Sequence, residues 1–487
     1  MLKKISSLLV LAFIFQISFA QHIEINDAQS VANHFISVKN KAAGYQISSQ
    51  QNLTSKSGSI LAYIFDLSPV GYIVVNADKD QIPVIAYSFN NPFSDNSVKE
   101  NPLQEMILAD LSLRSIHKDH YSKEQIDKNQ RLWNALLVKS TVKADTTFEQ
   151  WPAVGTTSTE GWVLTKWNQS APYNNMCPMD LGHSARSLTG CPATAMAQII
   201  NYHQTLNGTR INDADDYYHN YGSNQFYIDD DYLAYDFPSF PQLNLYLDTL
   251  EGLYFTKAPL TNNDLASLMF GCGVATKSVY NSTGSGTFGV NQALDGILRF
   301  GFSTAVLLDT SVSNPFHQII SNIKDSLPVF LAVVDAAWST GHNLVIDGYN
   351  TDDYYHLNFG WGGAYDGWYY LPSGMPYNLT VIEGVIVDID KNTSLNVERS
   401  NVESRSAEVF PNPAQQSTTL SFTSDITGRA RIMLFDAYGK KVTEQQTSVE
   451  PKRTSSVKIN LENLKQGVYT YYIVNQSETF TGKLIKL

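Results

Sequence analysis

The chain has 487 residues, 43% hydrophobic and 12% aromatic, enough for about three domains with sizeable cores and too apolar for a disordered protein. A net charge of −12 without Lys/Arg clusters argues against a general nucleic-acid binder. Three cysteines, Cys177, Cys191 and Cys272, exclude a disulfide scaffold, and an exported chain with this odd count keeps a free thiol or pairs between molecules.

Lys3 and Lys4 precede an apolar run over residues 8–15, and Ser18-Phe19-Ala20 follows at cleavage-site spacing. Residues 1–20 therefore read as a secretory signal peptide, too short to span a bilayer, and the mature protein is expected to be soluble after export. Residues 21–148 form an α+β unit. Asn26 is expected to cap a helix with Val31, Ala32, Phe35 and Ile36 on one face; strands follow over 60–67, 71–77 and 83–88, and a second helix starts near Pro102. The polar stretch 142–150 reads as an exposed connection. Residues 149–392 hold a helix from Cys191 to near His203 first and a glycine- and aromatic-rich β region last. Residues 393–406, polar and aperiodic, read as a linker. Over 407–487, short alternating runs separated by turns such as Asn412-Pro413 and Tyr438-Gly439 predict a small β-sandwich.

The segment Thr189-Gly190-Cys191-Pro192-Ala193-Thr194-Ala195-Met196-Ala197-Gln198 carries the chemistry. A thiol at a helix N-terminus feels the positive end of the dipole and unpaired N–H groups, which favour thiolate and, with a cationic partner, lower the pKa from about 8.5 to roughly 3.5–7.5. Cys191 is the candidate nucleophile; the alternatives are a small buried cysteine or a bridge to Cys177. A base is expected in Gly341-His342-Asn343-Leu344-Val345-Ile346-Asp347-Gly348-Tyr349, the first strand of a hairpin turning at Asn350-Thr351-Asp352. Folded about that turn, Asn358 falls roughly opposite His342, where its amide oxygen can hold one ring nitrogen as N–H and leave the other for sulfur. Asp347, at an odd offset from His342, leaves the other strand face. His203 lies about 18 Å along the helix from Cys191 and cannot reach it; His183 and His356 are rival bases. Gln169, in Lys166-Trp167-Asn168-Gln169-Ser170-Ala171-Pro172-Tyr173-Asn174, is the candidate side-chain donor to an oxyanion, beside the Cys191 N–H.

The order Gln, Cys at a helix start, then His and Asn is that of papain-like cysteine peptidases. The wording of the motifs above, with His356-Leu357-Asn358-Phe359-Gly360-Trp361-Gly362-Gly363, resembles the streptopain family of secreted cysteine peptidases. The resemblance implies an α+β papain-like fold, with a helical part and an antiparallel β part. It makes Cys191 the nucleophile, His342 the base and acid, Gln169 the oxyanion donor and Asn358 the orienting residue, with Trp361 shielding the pair. The family often has Trp where this chain has Phe359. Ser282, Ser285 and Gly341 fall at the substrate cleft, which in the family accepts a hydrophobic residue two positions before the scissile bond. Residues 21–148, with Gly71-Tyr72-Ile73-Val74-Val75-Asn76-Ala77-Asp78, resemble the inhibitory propeptide, released by cleavage near 142–150. Residues 407–487, with Val409-Phe410-Pro411-Asn412-Pro413 and Gly467-Val468-Tyr469, resemble the sorting domain read by type IX secretion machinery, which implies release or outer-surface attachment. Protein or peptide substrates are implied, with no cofactor and no metal.

Two other motifs are set aside. Gly284-Ser285-Gly286-Thr287-Phe288-Gly289 fits a dinucleotide fingerprint with Asp309 downstream, but residues 274–280 before it are no apolar core strand. Asp213, Asp215 and Asp216 lack the Gly and Glu of an EF-hand and read as a solvated loop. A thiol amidase or transglutaminase-like acyl transferase using the same dyad, and a non-catalytic surface-binding protein, remain the alternative functions.

Overall fold

The structure, a computed structural model, describes residues 22–39, 41, 43–93, 102–117, 121–138, 148–308, 315–334, 341–371, 382–391, 407–436, 441–475 and 478–487. The expected signal peptide, the expected linker 393–406, Asp309 and most of the expected 142–150 connection lie outside these residues. The chain divides into two compact units, Met1–Asn392 and Thr393–Leu487.

The first unit opens with α1 (Ile25–Val38), which buries Ala28, Val31, Ala32, Phe35 and Ile36, the i, i+3, i+4 stripe of an amphipathic helix. Its N-cap is Glu24, with Asn26 already inside the first turn, so the expected cap is displaced by two residues. An antiparallel meander follows: β1 (Gln46–Thr54), β2 (Ile60–Ser68), β3 (Tyr72–Asn76) and β4 (Val84–Ser88). Strand β1 buries only Leu53 and carries no apolar alternation, so its sequence does not announce a strand. Helices α2 (Pro102–Ile116) and α3 (Lys123–Leu137) complete this part. α3 starts on a Ser122/Gln125 capping box and buries Trp133, whose indole donates to the Gln81 carbonyl.

The rest of the unit begins with β5 (Gln150–Trp151) and a short hairpin, β6 (Met179–Asp180) and β7 (Ala185–Arg186). Then come α4 (Cys191–His203), the hairpin β8 (Tyr218–Tyr221) and β9 (Asn224–Tyr227), and the helices α5 (Tyr232–Tyr235), α6 (Phe240–Thr256), α7 (Asn262–Ala275) and α8 (Val290–Arg299). The β part comprises β10 (Val306–Leu307), α9 (Phe316–Lys324), β11 (Val329–Val334), β12 (Gly341–Asn350), β13 (Tyr355–Asn358), β14 (Gly367–Tyr369) and β15 (Ile382–Val387). Helical and β parts meet where Met196, Ile199 and Ile200 of α4 join Phe330, Ala332, Val345 and Ile386 in one apolar core. The opposite sheet face, with Leu331, Leu344 and Ile346, packs with Leu111 of α2 and Ile319 and Ile323 of α9.

One sheet runs through the whole unit in the order β1-β2-β3-β4-β14-β13-β12-β11-β15-β10. The N-terminal meander joins the later strands edge to edge, Tyr87 opposite Trp368 and Ala86 opposite Tyr369, with Tyr370 N–H donating to the Ile85 carbonyl at 2.7 Å. Edge pairing uses backbone groups that an exposed edge strand leaves open.

The second unit is a two-sheet sandwich. β16 (Glu408–Phe410), β17 (Ser417–Thr423) and β20 (Thr454–Asn460) form one sheet; β18 (Gly428–Phe435), β19 (Lys441–Val449), β21 (Gly467–Asn475) and β22 (Glu478–Lys486) form the other. Leu420, Phe422, Ile432, Leu434, Ile473, Phe480 and Leu484 fill the space between. Polar β19 is the strand the sequence does not announce. Among the described residues no helix is long and apolar enough to cross a membrane.

Candidate active site

Cys191 is the first residue of α4, entered through Gly190 at φ 85°. That backbone favours glycine, and a Cβ there would also lie 3.1 Å from the Ser285 carbonyl and the Gly286 nitrogen. The 282–286 segment is therefore packed directly against the turn that presents the sulfur. Ser285 Oγ is spent inside its own loop, accepting from Asn281 N–H and donating to the Asn281 carbonyl. Ser282 donates from both N–H and Oγ to Asp180 Oδ2, at 3.0 and 2.7 Å. Both side chains hold the wall in shape, and its backbone faces Gly190.

His342 lies near the start of β12, buried. Its Nε2 is 2.8 Å from the Phe359 carbonyl oxygen and 3.2 Å from Trp361 Nε1. These two neighbours select different protonation states: the carbonyl accepts only from a protonated Nε2, and the indole N–H finds an acceptor only in an unprotonated one. With Nε2 so held, the hydrogen bond between His342 and Cys191 falls to Nδ1. Burial alone disfavours charge on both groups, raising the thiol and lowering the imidazole. The attraction and hydrogen bond between them outweigh it, so Cys191 sits below the ordinary thiol range and His342 above the ordinary imidazole value. Both shifts favour the thiolate and imidazolium forms of the pair.

Asn358 does not meet the histidine. It stands opposite Val345, three residues from the expected partner and on the other sheet face. The turn is wider than three residues, Asn350 N–H reaching the Tyr354 carbonyl, and a bulge at Asp347 changes the register between Ile346 and Gly348. The Asn358 oxygen accepts from Gln198 Nε2 at 2.9 Å and Gly360 N–H at 3.0 Å, and its nitrogen donates to the Thr165 carbonyl at 2.8 Å. It ties α4 to the end of β13, and the group beside the imidazole is the Phe359 carbonyl that follows. Behind it, Phe359 N–H donates to Asp366 Oδ1 at 2.8 Å, and burial pushes that carboxyl up to about 7.

Gln169 is half-buried, and its carbonyl accepts Thr189 N–H at 3.1 Å, which pins it beside the entry to α4. Gly341 is exposed at the start of β12, opposite Val334. The rival histidines are bound elsewhere: His183 Nδ1 to Asp180 at 2.8 Å, and His356 Nδ1 to Asp347 at 2.6 Å in a buried ion pair. Cys177 and Cys272 are buried free thiols and Cys191 is free and partly open, which removes the Cys177 bridge. Residues 274–280 continue from the end of α7, with no strand before the glycines. Asp215 is paired with Arg299 at 2.7 Å, and Asp216 accepts Tyr217 N–H and Asp229 N–H. Asn343 was not among the expected site residues, yet its Nδ2 donates to Cys191 Sγ at 3.5 Å. Its place next to His342 on a strand was the available signal, masked by the alternation rule that sends neighbours to opposite faces.

Residues 167–369 match the Peptidase C10 family, residues 20–111 the Spi protease inhibitor family, and residues 408–487 the secretion system C-terminal sorting domain. Streptopain of Streptococcus pyogenes is 28% identical over 337 residues, 66% of this chain and 76% of that protein. The thiol protease/hemagglutinin PrtT of Porphyromonas gingivalis is 27% identical over 210 residues, 42% of this chain and 23% of its own. The prointerpain A fragment of Prevotella intermedia superposes with TM-score 0.44 at 22% identity, over 70% of this chain and 99% of its own. The chain is thus a cysteine-type endopeptidase that carries a Peptidase C10 (streptopain-family) domain over residues 167–369, preceded by an Spi-type inhibitor domain and followed by a C-terminal sorting domain.

Proposed function

We propose that the protein is exported by type IX secretion as a zymogen and hydrolyses peptide bonds through the Cys191–His342 pair and an acyl-enzyme. The observation that carries this is the hydrogen bond between His342 and Cys191 at the start of α4, inside the segment that matches the peptidase family. The Cys191 thiolate attacks the scissile carbonyl carbon. The oxygen that gains the electron pair is held by the Cys191 N–H and the Gln169 amide. His342 passes its Nδ1 proton to the leaving amine as the C–N bond breaks, which leaves a thioester. It then takes a proton from water, whose oxygen attacks the thioester carbon; the C–S bond breaks and the thiolate returns. The Phe359 carbonyl orients the ring in place of a side-chain amide, and Trp361 closes it off from solvent. The backbone of 282–286 receives an extended peptide, with an apolar residue two positions before the cleaved bond.

The test is intact mass against time for the full chain under reducing conditions, wild type beside Cys191→Ala. The wild type should shed its N-terminal part near residues 142–150 and the variant stay whole. Equal processing of both overturns self-cleavage by Cys191, and glutamine-to-amine transfer without peptide hydrolysis would assign the dyad to an acyl transferase.

A further inference from the structure

We propose that Asn343 is a catalytic residue of this enzyme: its side-chain amide donates a hydrogen bond to the Cys191 sulfur and tunes the nucleophile by stabilising the thiolate in the resting state. The inference rests on Cys191 being the nucleophile. Asn343 Nδ2 stands 3.5 Å from Sγ, a hydrogen-bonding distance for an acceptor as large as sulfur. The amide is half-buried, so water competes only partly for it. It is carried by β12 beside His342, and both the strand and α4 pack in one core through Val345 and Met196, so donor and sulfur are held on rigid elements.

Among the described residues, the charged partner of the sulfur is His342. β12 brings His342; the Gly190 turn and the 282–286 wall bring no ionisable side chain; the loop after β13 brings Asp366, which is spent on the Phe359 N–H. A neutral thiol is a poor acceptor and a thiolate a strong one, so the amide favours the charged form and lowers the pKa that His342 already lowers. Once sulfur has attacked carbon its charge is gone and the amide loses its acceptor. The bond therefore belongs to the ground state. It widens the pH range in which thiolate is present and makes that thiolate less nucleophilic.

This gives effects of opposite sign at two pH values. Losing this half-buried donor, at the ordinary net strength of a hydrogen bond, should move the acid limb of Cys191 reactivity up by about half to one pH unit. Through the Brønsted dependence of thiolate attack, the plateau should rise about 1.6- to 3-fold. Well below the limb the two effects combine to a net fall of about two- to four-fold. The limb is a property of the Cys191–His342 pair and is compared between variants as such.

The measurement is the pH dependence of iodoacetamide alkylation of Cys191 in the full chain, read by mass spectrometry of the Cys191 peptide, for wild type, Asn343→Ala and the isosteric Asn343→Asp. Cys177 and Cys272 are buried and serve as internal controls. The expected result is a limb raised in Asn343→Ala and raised further in Asn343→Asp, where a carboxylate faces the sulfur, with a faster plateau in Asn343→Ala. Superimposed limbs, or a uniform loss at every pH, would overturn the proposal. If the alanine variant does not fold, the aspartate variant decides by the same criterion. A wild-type Cys191 that titrates as an ordinary thiol would instead overturn the dyad on which the inference rests.

Discussion

Asn358 and His342 sit close in the chain's β part, and their substitutions should fail in different ways. His342→Ala removes the proton carrier and should lower kcat by roughly 10²–10⁴-fold. Asn358→Ala leaves Gln198 Nε2 and Gly360 N–H without their acceptor, each worth about 1–3 kcal/mol when buried. It should show mainly as a lower melting temperature, with kcat down less than about tenfold. Peptide turnover and a thermal melt on both variants check this, and equal losses of turnover would refute it. Asp366 adds a pH dependence. Burial raises its folded pKa to about 7, against about 3.9 unfolded, so the folded state binds the proton more tightly. Its contribution is fully present below the unfolded pKa and is lost as pH rises through about 7, a change on the order of a few kcal/mol. Asp366→Asn should flatten melting temperature against pH over that window; an unchanged slope would show that the carboxyl titrates elsewhere.

At the scale of elements, the junction between β4 and β14 attaches the inhibitor domain to the peptidase. Its tightness is visible at Gly367, where a Cβ would lie 2.6 Å from Tyr72 Oη, 2.6 Å from the Tyr87 carbonyl and 2.9 Å from Ser88 Cβ. All three atoms belong to the inhibitor domain. Gly367→Ala should therefore wedge β4 and β14 apart at a cost of about 1–3 kcal/mol, and speed self-processing of the full chain about tenfold or more. Turnover after the inhibitor is gone should stay near wild type. Slower processing, or an equally impaired mature enzyme, would place the damage in the peptidase itself. The same sheet shows where reading from sequence stops. β2, β3 and β4 are apolar and legible. β1 and β19 are polar edge strands, defined by partners that supply their hydrogen bonds and not by their own side chains. The register of β12 on β13 was misplaced because the turn lies further along the chain than expected, Gly348 already facing His356, and a bulge at Asp347 then moves Asn358 to the other face; Asp347 there accepts from the Val163 N–H and meets His356 Nδ1.

Across the whole molecule, thiol chemistry converges on one residue. Cys177 and Cys272 are fully buried and Cys191 is partly open. A thiol-reactive dye should therefore modify about one cysteine in the native chain and all three after denaturation. Peroxide should abolish activity in a form that reductant restores while oxidation stays at the sulfenic or disulfide level; turnover unchanged by peroxide would contradict a thiolate nucleophile. Local periodicity and motif spacing singled out Cys191, His342 and Gln169 as candidates, and the resemblance of the motifs to the streptopain family gave the class of chemistry. A helix start, an apolar stripe and a glycine before a sulfur are local properties, written within a few residues. The partner of the imidazole, the contact of Asn343 with sulfur and the shared sheet of inhibitor and peptidase depend on residues far apart in the chain, Asn343 and Cys191 being separated by 152 positions. Only packing of α4 on the sheet and the bulged register of β12 decide them, because a side chain's neighbours across a core are set by the sum of many contacts and not by its own sequence surroundings.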